Sequence, residues 1–176
     1  MLIAGGTPLV EEYIYQHPDM AKFHPGSLNT LRVNTFNDLS GNLVIKAVSL
    51  KTGRGTSCCD NMAAGGVWAP VDIYTGTVIG DGIDKTCHRY EKHPDTGTVF
   101  KGFVIPEFAK LMNKVEEYVG LFGNLHFVGW DIAVKENGDI ELIEANPIPE
   151  LTYIQLFIGP LGEKFRNLYG SREYGK

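Results

Sequence analysis

Residues 128–146, VGWDIAVKENGDIELIEAN, decide the fold. Two apolar runs, 128–134 and 140–146, flank Lys135-Glu136-Asn137-Gly138-Asp139. Asn-Gly is the strongest short-range signal for a two-residue hairpin turn. With Asn137 and Gly138 as that turn, Asp131 stands directly opposite Glu144. Asn146, two residues beyond Glu144, projects from the same face. An antiparallel hairpin therefore presents two carboxylates and an amide together.

Such a pair is costly. Two like charges about 4 Å apart repel by roughly 4 kcal/mol at an effective dielectric near 20. A proton, a basic partner or a bound cation has to offset them. Oxygen ligands suit Mg²⁺, which keeps several waters and takes substrate phosphates as its remaining ligands. The set lacks histidine and thiolate, which argues against zinc or copper. Spacing alone leaves a second reading open, in which Asp131 and Glu144 form salt bridges at a sheet edge. The flank Glu144-Ala145-Asn146-Pro147 favours the metal, because it ends a strand in polar groups and a proline.

Outward from the hairpin, turn residues separate further apolar runs. Residues 30–36 and 43–50 flank Asn37-Asp38-Leu39-Ser40-Gly41-Asn42 and read as a second hairpin. Residues 67–74 and 77–79 form a short pair around Thr75-Gly76, and residues 9–15 read as a strand that ends before His17-Pro18. One helix is clear: Pro106 suits its first turn, and Phe108, Leu111, Met112, Val115, Val119 and Phe122 recur at three- and four-residue steps. Gly123-Asn124 ends it. The tail 152–169 is predicted helical in two pieces, broken at Gly159-Pro160. The expectation is one compact α+β unit over 1–176, a largely antiparallel sheet with packed helices.

With 176 residues, 43% hydrophobic and 21% charged, the chain is ordinary for a globular protein. Its net charge of −5 favours neither nucleic acid nor an anionic membrane. No apolar run reaches the roughly 18 residues needed to span a bilayer, and Met1 leads into Leu-Ile-Ala-Gly-Gly without a basic head. Cys58, Cys59 and Cys87 make an odd count without a CxxC pair, which reads as reduced thiols in a cytoplasmic protein. Together with His88 they match no standard zinc spacing. His17, His24 and His93 each precede proline and read as loop punctuation, and His126 as a packing residue.

Asp131, followed after a Gly-bearing turn by Leu142-Ile143-Glu144-Ala145-Asn146-Pro147, resembles the ATP-grasp superfamily, whose pattern is D…[LIV]-[LIV]-E-x-N-P. The resemblance implies that Asp131, Glu144 and Asn146 hold Mg²⁺, or Mn²⁺ in its place, bridging ATP phosphates. Val10-Glu11-Glu12-Tyr13-Ile14 looks like the hinge strand that meets the adenine, which assigns nucleotide contacts to Glu11, Glu12 and Ile14. Ser27-Leu28-Asn29-Thr30-Leu31-Arg32-Val33 resembles the strand whose Arg reaches the terminal phosphate. An Arg in an apolar strand is expensive unless it meets an anion, and a permanent planar cation suits phosphate. Arg32 is therefore both the catalytic and a nucleotide-binding candidate. Asn61-Met62-Ala63-Ala64-Gly65-Gly66 resembles an N-x-x-x-G-G loop on the substrate side, with Lys46 and Arg54 adding positive charge.

Gln16-His17-Pro18, Asn29-Thr30-Leu31-Arg32, Gly129-Trp130-Asp131, His93-Pro94-Asp95-Thr96-Gly97, and Gly102-Phe103 through Ile105-Pro106 resemble the sugar-transfer-associated branch, over residues 9–156. That branch implies cytoplasmic work in surface-polysaccharide assembly. The implied reaction joins a small carboxylate to an amine or sugar nucleophile through an acyl phosphate. ATP-grasp proteins close nucleotide between two lobes, and the first lobe supplies lysines and a lid. This chain starts at the hinge, so it is expected to need that N-terminal lobe as a partner and to be inactive alone. A small-molecule kinase and a non-catalytic binding module of the same fold are the alternatives.

Overall fold

The computed structural model describes residues 12–38, 40, 42–122 and 125–169. Among the described residues seven strands form one sheet: β1 (Thr30–Asn37), β2 (Leu43–Thr52), β3 (Val67–Val71), β4 (Gly82–Ile83), β5 (Arg89–Tyr90), β6 (Phe127–Val134) and β7 (Ile140–Asn146). Their order is β5-β4-β3-β2-β1-β6-β7, and every neighbouring pair is antiparallel. The helices are α1 (Pro18–Ala21), α2 (Phe108–Leu121), α3 (Thr152–Ile158) and α4 (Gly162–Tyr169). The α+β expectation is met. No helix among the described residues is long and apolar enough to cross a membrane, and all three cysteines are free.

Strand alternation gives the sheet two faces. One carries Leu31, Val33, Val48, Leu50, Val67, Ala69, Trp130 and Ile132, which bury the α2 stripe of Phe108, Leu111 and Val115. Trp130 is fully buried, donates to Thr35 Oγ1 at 2.9 Å, and meets the rings of Tyr118 and Phe122. Trp130→Ala should cost about 3–5 kcal/mol in chemical denaturation, since neighbours only partly refill so large a void. Lys110 of α2 ties the helix to the hairpin turn through Gly138 O and Asp139 Oδ1, at 2.9 and 2.8 Å. The other face carries the charged residues. It is roofed by the carboxy-terminal helices, with Ile154 and Leu161 on Phe36 and Ala47, and Tyr153 and Phe157 beside Met62, Trp68 and Ile83.

Several boundaries differ from expectation. β3 stops at Val71 because Asp72 Oδ1 accepts from Tyr74 N and from Thr75 N and Oγ1, closing a turn. Residues 77–79 make only isolated bridges, through Thr77 to Val104 and Val78 to Val71. α2 starts at Phe108 after Glu107, so Pro106 lies before the helix and not in its first turn. Gly123 and Asn124 lie outside the described residues, as do residues 1–11. Of the expected 9–15 strand, 12–15 form no strand; Gln16 bridges Lys135, while Tyr15 O accepts from Glu136 N at 2.8 Å.

Candidate functional site

The hairpin reaches the expected pairing by an unexpected route. A two-residue turn would have paired Val134 with Glu141; Val134 in fact pairs with Ile140. A two-residue type I′ turn needs positive φ at both central residues, and Asn137 is not among the positive-φ residues. The loop instead has three residues, 136–138, closed by Lys135 N to Asp139 O and Gly138 N to Lys135 O, with Gly138 at φ +80°. A bulge then intervenes: Ile132 pairs with Leu142 but Asp131 with Glu144, leaving Ile143 as the extra residue. The two offsets cancel. Strict alternation from Leu142, which packs on the core, would send Glu144 to the core face. The bulge re-aims it.

As a result Ser49, Arg32, Asp131 and Glu144 lie in one row across β2, β1, β6 and β7, with Asn146 in the next row opposite Gly129. The sequence-predicted metal candidates thus share a face with Arg32. Asp131 is buried, and Arg32 grips it with two bonds, Nε to Oδ1 at 2.6 Å and Nη2 to Oδ2 at 2.8 Å. Lys51, 1% exposed, donates to Asp131 Oδ2 at 3.0 Å and lies 3.3 Å from Asp60 Oδ1. Asp60 Oδ2 also accepts from the backbone N and the hydroxyl of Thr30. Both cations sit over the Trp68 indole, at 5.5 and 5.3 Å from its centroid.

Burial alone would raise the Asp131 carboxyl, but Arg32 and Lys51 hold it below the usual carboxylate range. Burial likewise opposes the Arg32 charge, which Asp131, Glu144 and Asp60 more than restore. The salt-bridge reading of Asp131 is therefore realised, inside the sheet and not at its edge. Glu144 is exposed, and Asn146 is half-buried with Oδ1 accepting from Ile148 N at 2.9 Å. Among the described residues no group of three His, Cys, Asp or Glu side chains converges on one point. In chemical type two carboxylates and an amide suit Mg²⁺, which needs only one or two carboxylates beside phosphate; here Arg32 and Lys51 already engage both Asp131 oxygens and Ile148 N engages Asn146 Oδ1. Gly129 belongs to the same design: a Cβ there would lie 2.8 Å from Pro149 Cβ and 3.3 Å from Arg32 Cδ.

Glu12 and Ile14 are placed apart from the row. They line a cavity of about 700 Å³ with Tyr13, Tyr15, Lys135, Glu136 and the bulged Ile143, a volume suited to a small-molecule ligand. Glu11 lies outside the described residues, as does the Lys46 side chain. Asn61 is exposed and precedes a 3-10 turn, Met62–Ala64, its carbonyl accepting from Ala64 N and Gly66 N. The glycines after it are needed sterically: Gly65 has φ +96°, and a Cβ on Gly66 would meet Asp60 O at 2.4 Å. Lys51 and Asp60 were missed by sequence reasoning. Ending the strand at residue 50 hid Lys51, although a lysine in an apolar strand carries the same signal as Arg32.

An antiparallel sheet under helices, bearing a bulged hairpin of two carboxylates and an amide beside two buried cations, has the make-up of an ATP-grasp lobe. Residues 5–162 match the family described as Sugar-transfer associated ATP-grasp, and the chain belongs to that family. ATP-binding, ligase-type chemistry is what the family indicates. No curated protein and no solved structure gives a significant match.

Proposed function

We propose that this chain is the Mg·ATP-holding part of a ligase that joins a small carboxylate to an amine or sugar nucleophile, in cytoplasmic assembly of surface sugars. The observation that carries the reading is the row Arg32–Asp131–Glu144, with Lys51 beside it. The substrate carboxylate attacks the γ-phosphorus of ATP, and the bond to ADP breaks. The nucleophile then attacks the acyl carbon, and phosphate leaves. Asp131, Glu144 and Asn146 would hold Mg²⁺, which would supply charge neutralisation on the phosphates. With its Nε/Nη2 edge held by Asp131, Arg32 offers its remaining Nη1 side to the transferring phosphoryl group, and such fixed charges dominate catalysis of this step.

In this reading Glu12 and Ile14, with Glu11, border the base, and Asn61 faces the substrate side. A second lobe of the same protein closes over the nucleotide. The test is product analysis of the complete protein with ATP, a panel of carboxylates and hydroxylamine. ADP, phosphate and a hydroxamate are expected. AMP with pyrophosphate overturns the mechanism, and a phosphorylated hydroxyl product without hydroxamate makes the protein a kinase.

A further inference from the structure

Arg32 commits two of its three nitrogens, Nε and Nη2, to Asp131. The third, Nη1, donates to no described residue. It lies over Gly129, 3.3 Å from where a Cβ would stand, and the buried Pro149 brings its own Cβ within 2.8 Å of the same point. Directly across from Gly129 on β1 is Asn34. Leu31, Val33 and Thr35 turn to the core under α2, so Arg32, Asn34 and Phe36 share the opposite, charged face. Asn34 is 1% exposed, and its Oδ1 accepts from no described group. Its neighbours in the row are Ala47 on β2 and Gly129 on β6, with Asn146 beyond. Neither neighbour has a polar side chain to offer.

A buried acceptor without a partner is costly, because it has given up water for nothing. Here it stands two residues along the strand from a charged nitrogen that also lacks a partner. Facing Cβ positions on neighbouring strands are about 5 Å apart. Asn34 therefore begins about that far from the point that Nη1 approaches. A rotation of the amide, or a small advance of the guanidinium, brings the two together. The residue type matters as well. Asp131 already offsets one positive charge, and a second carboxylate at position 34 would cancel what Arg32 brings to an anion. An amide carbonyl accepts a hydrogen bond and leaves the charge in place.

We infer that Asn34 is a positioning residue for Arg32, its Oδ1 accepting one Nη1–H while the terminal phosphate of the nucleotide accepts the other. The inference rests on the reading of Arg32 as the phosphoryl contact. Once phosphate displaces water from Nη1, the second N–H would be stranded in a dry site. Asn34 supplies its acceptor from inside the sheet, so the carbonyl without a partner here is matched in the phosphate-bound state.

The experiment titrates the complete protein with Mg²⁺ and the non-hydrolysable β,γ-imido analogue of ATP, and separately with Mg²⁺ and ADP, which lacks the terminal phosphate. The readouts are the two dissociation constants, the ¹H–¹⁵N signal of Arg32 Nε–H and the side-chain amide signal of Asn34. The analogue should shift both signals saturably, and ADP should leave Asn34 unmoved. Asn34→Leu, similar in shape, should weaken the analogue about tenfold, the worth of one hydrogen bond to a charged group, and leave ADP unchanged. Its denaturation midpoint should hold or rise, since an unmet buried acceptor is gone. Asn34→Asp should weaken the analogue further, and Arg32→Lys should abolish the Asn34 shift. A purely structural Asn34 gives the reverse for Asn34→Leu: lost stability with analogue binding intact. If Asn34→Leu does not fold, the wild-type signals and Asn34→Asp decide. Unchanged analogue affinity in Asn34→Leu, tighter binding in Asn34→Asp, or an Asn34 signal that moves equally with ADP overturns the inference. An Arg32 response confined to the analogue would then leave the phosphate reading of Arg32 standing. If neither the Arg32 signal nor Arg32→Lys separates analogue from ADP, that reading fails and the inference fails with it.

Discussion

Arg32→Ala is expected to lower ATP turnover by about 10²-fold or more, since removing one preorganised donor to a developing charge costs roughly 3 kcal/mol of transition-state stabilisation. The same substitution should also cost on the order of 3 kcal/mol in folding. Asp131 is buried and takes two of its three side-chain bonds from Arg32, and breaking a buried pair strands the remaining charge. A purely catalytic arginine would leave denaturation unchanged, so the two readouts together report the coupling. The double variant Arg32→Met/Asp131→Leu should recover much of the lost stability, because removing both partners leaves neither charge uncompensated. It should recover no activity. A single variant as stable as wild type would remove Arg32 from the buried network; unchanged turnover would remove it from the phosphate.

The elements legible in the sequence were those with a local period. The β1–β2 hairpin, the α2 stripe and the broken carboxy-terminal helix follow from alternation, three- and four-residue steps, and a Gly-Pro break. β4 and β5 are two residues each, too short to carry a period, and they sit in a region ordered by side-chain bonds to Asp72 and Asp84. The pairing of Asp131 with Glu144 was anticipated from a two-residue turn that does not form. It survives because the bulge at Ile143 compensates, and nothing in Leu-Ile-Glu announces a bulge. Arg32 was legible as a lone cation in an apolar strand. Its partner set was not, because Lys51, Asp60 and Trp68 reach the row across long stretches of chain that only the folded sheet aligns.

Glu144 and Asp131 are expected to separate cleanly in their effects, although they are cross-strand partners. Glu144 is exposed. Glu144→Gln should leave denaturation within about 0.5 kcal/mol while lowering Mg²⁺-dependent turnover on the order of 10²-fold, as loss of a charge that holds the phosphate clamp should. Asp131→Asn should cost turnover at least as much and destabilise by about 3 kcal/mol, since Arg32 and Lys51 would lose the anion that neutralises them in a buried site. The pH dependence gives an independent check. Asp131 is held below the usual carboxylate range, so its contribution is fully present above the unfolded value, about 3.9. It is lost as the pH falls through the lower folded-state value. Asp131→Asn should therefore flatten the acid limb of the stability curve, and Glu144→Gln should leave that limb unchanged. Should Glu144→Gln destabilise as much as Asp131→Asn, with full turnover at the same Mg²⁺ concentration, the row is a structural ion cluster and its assignment to metal fails.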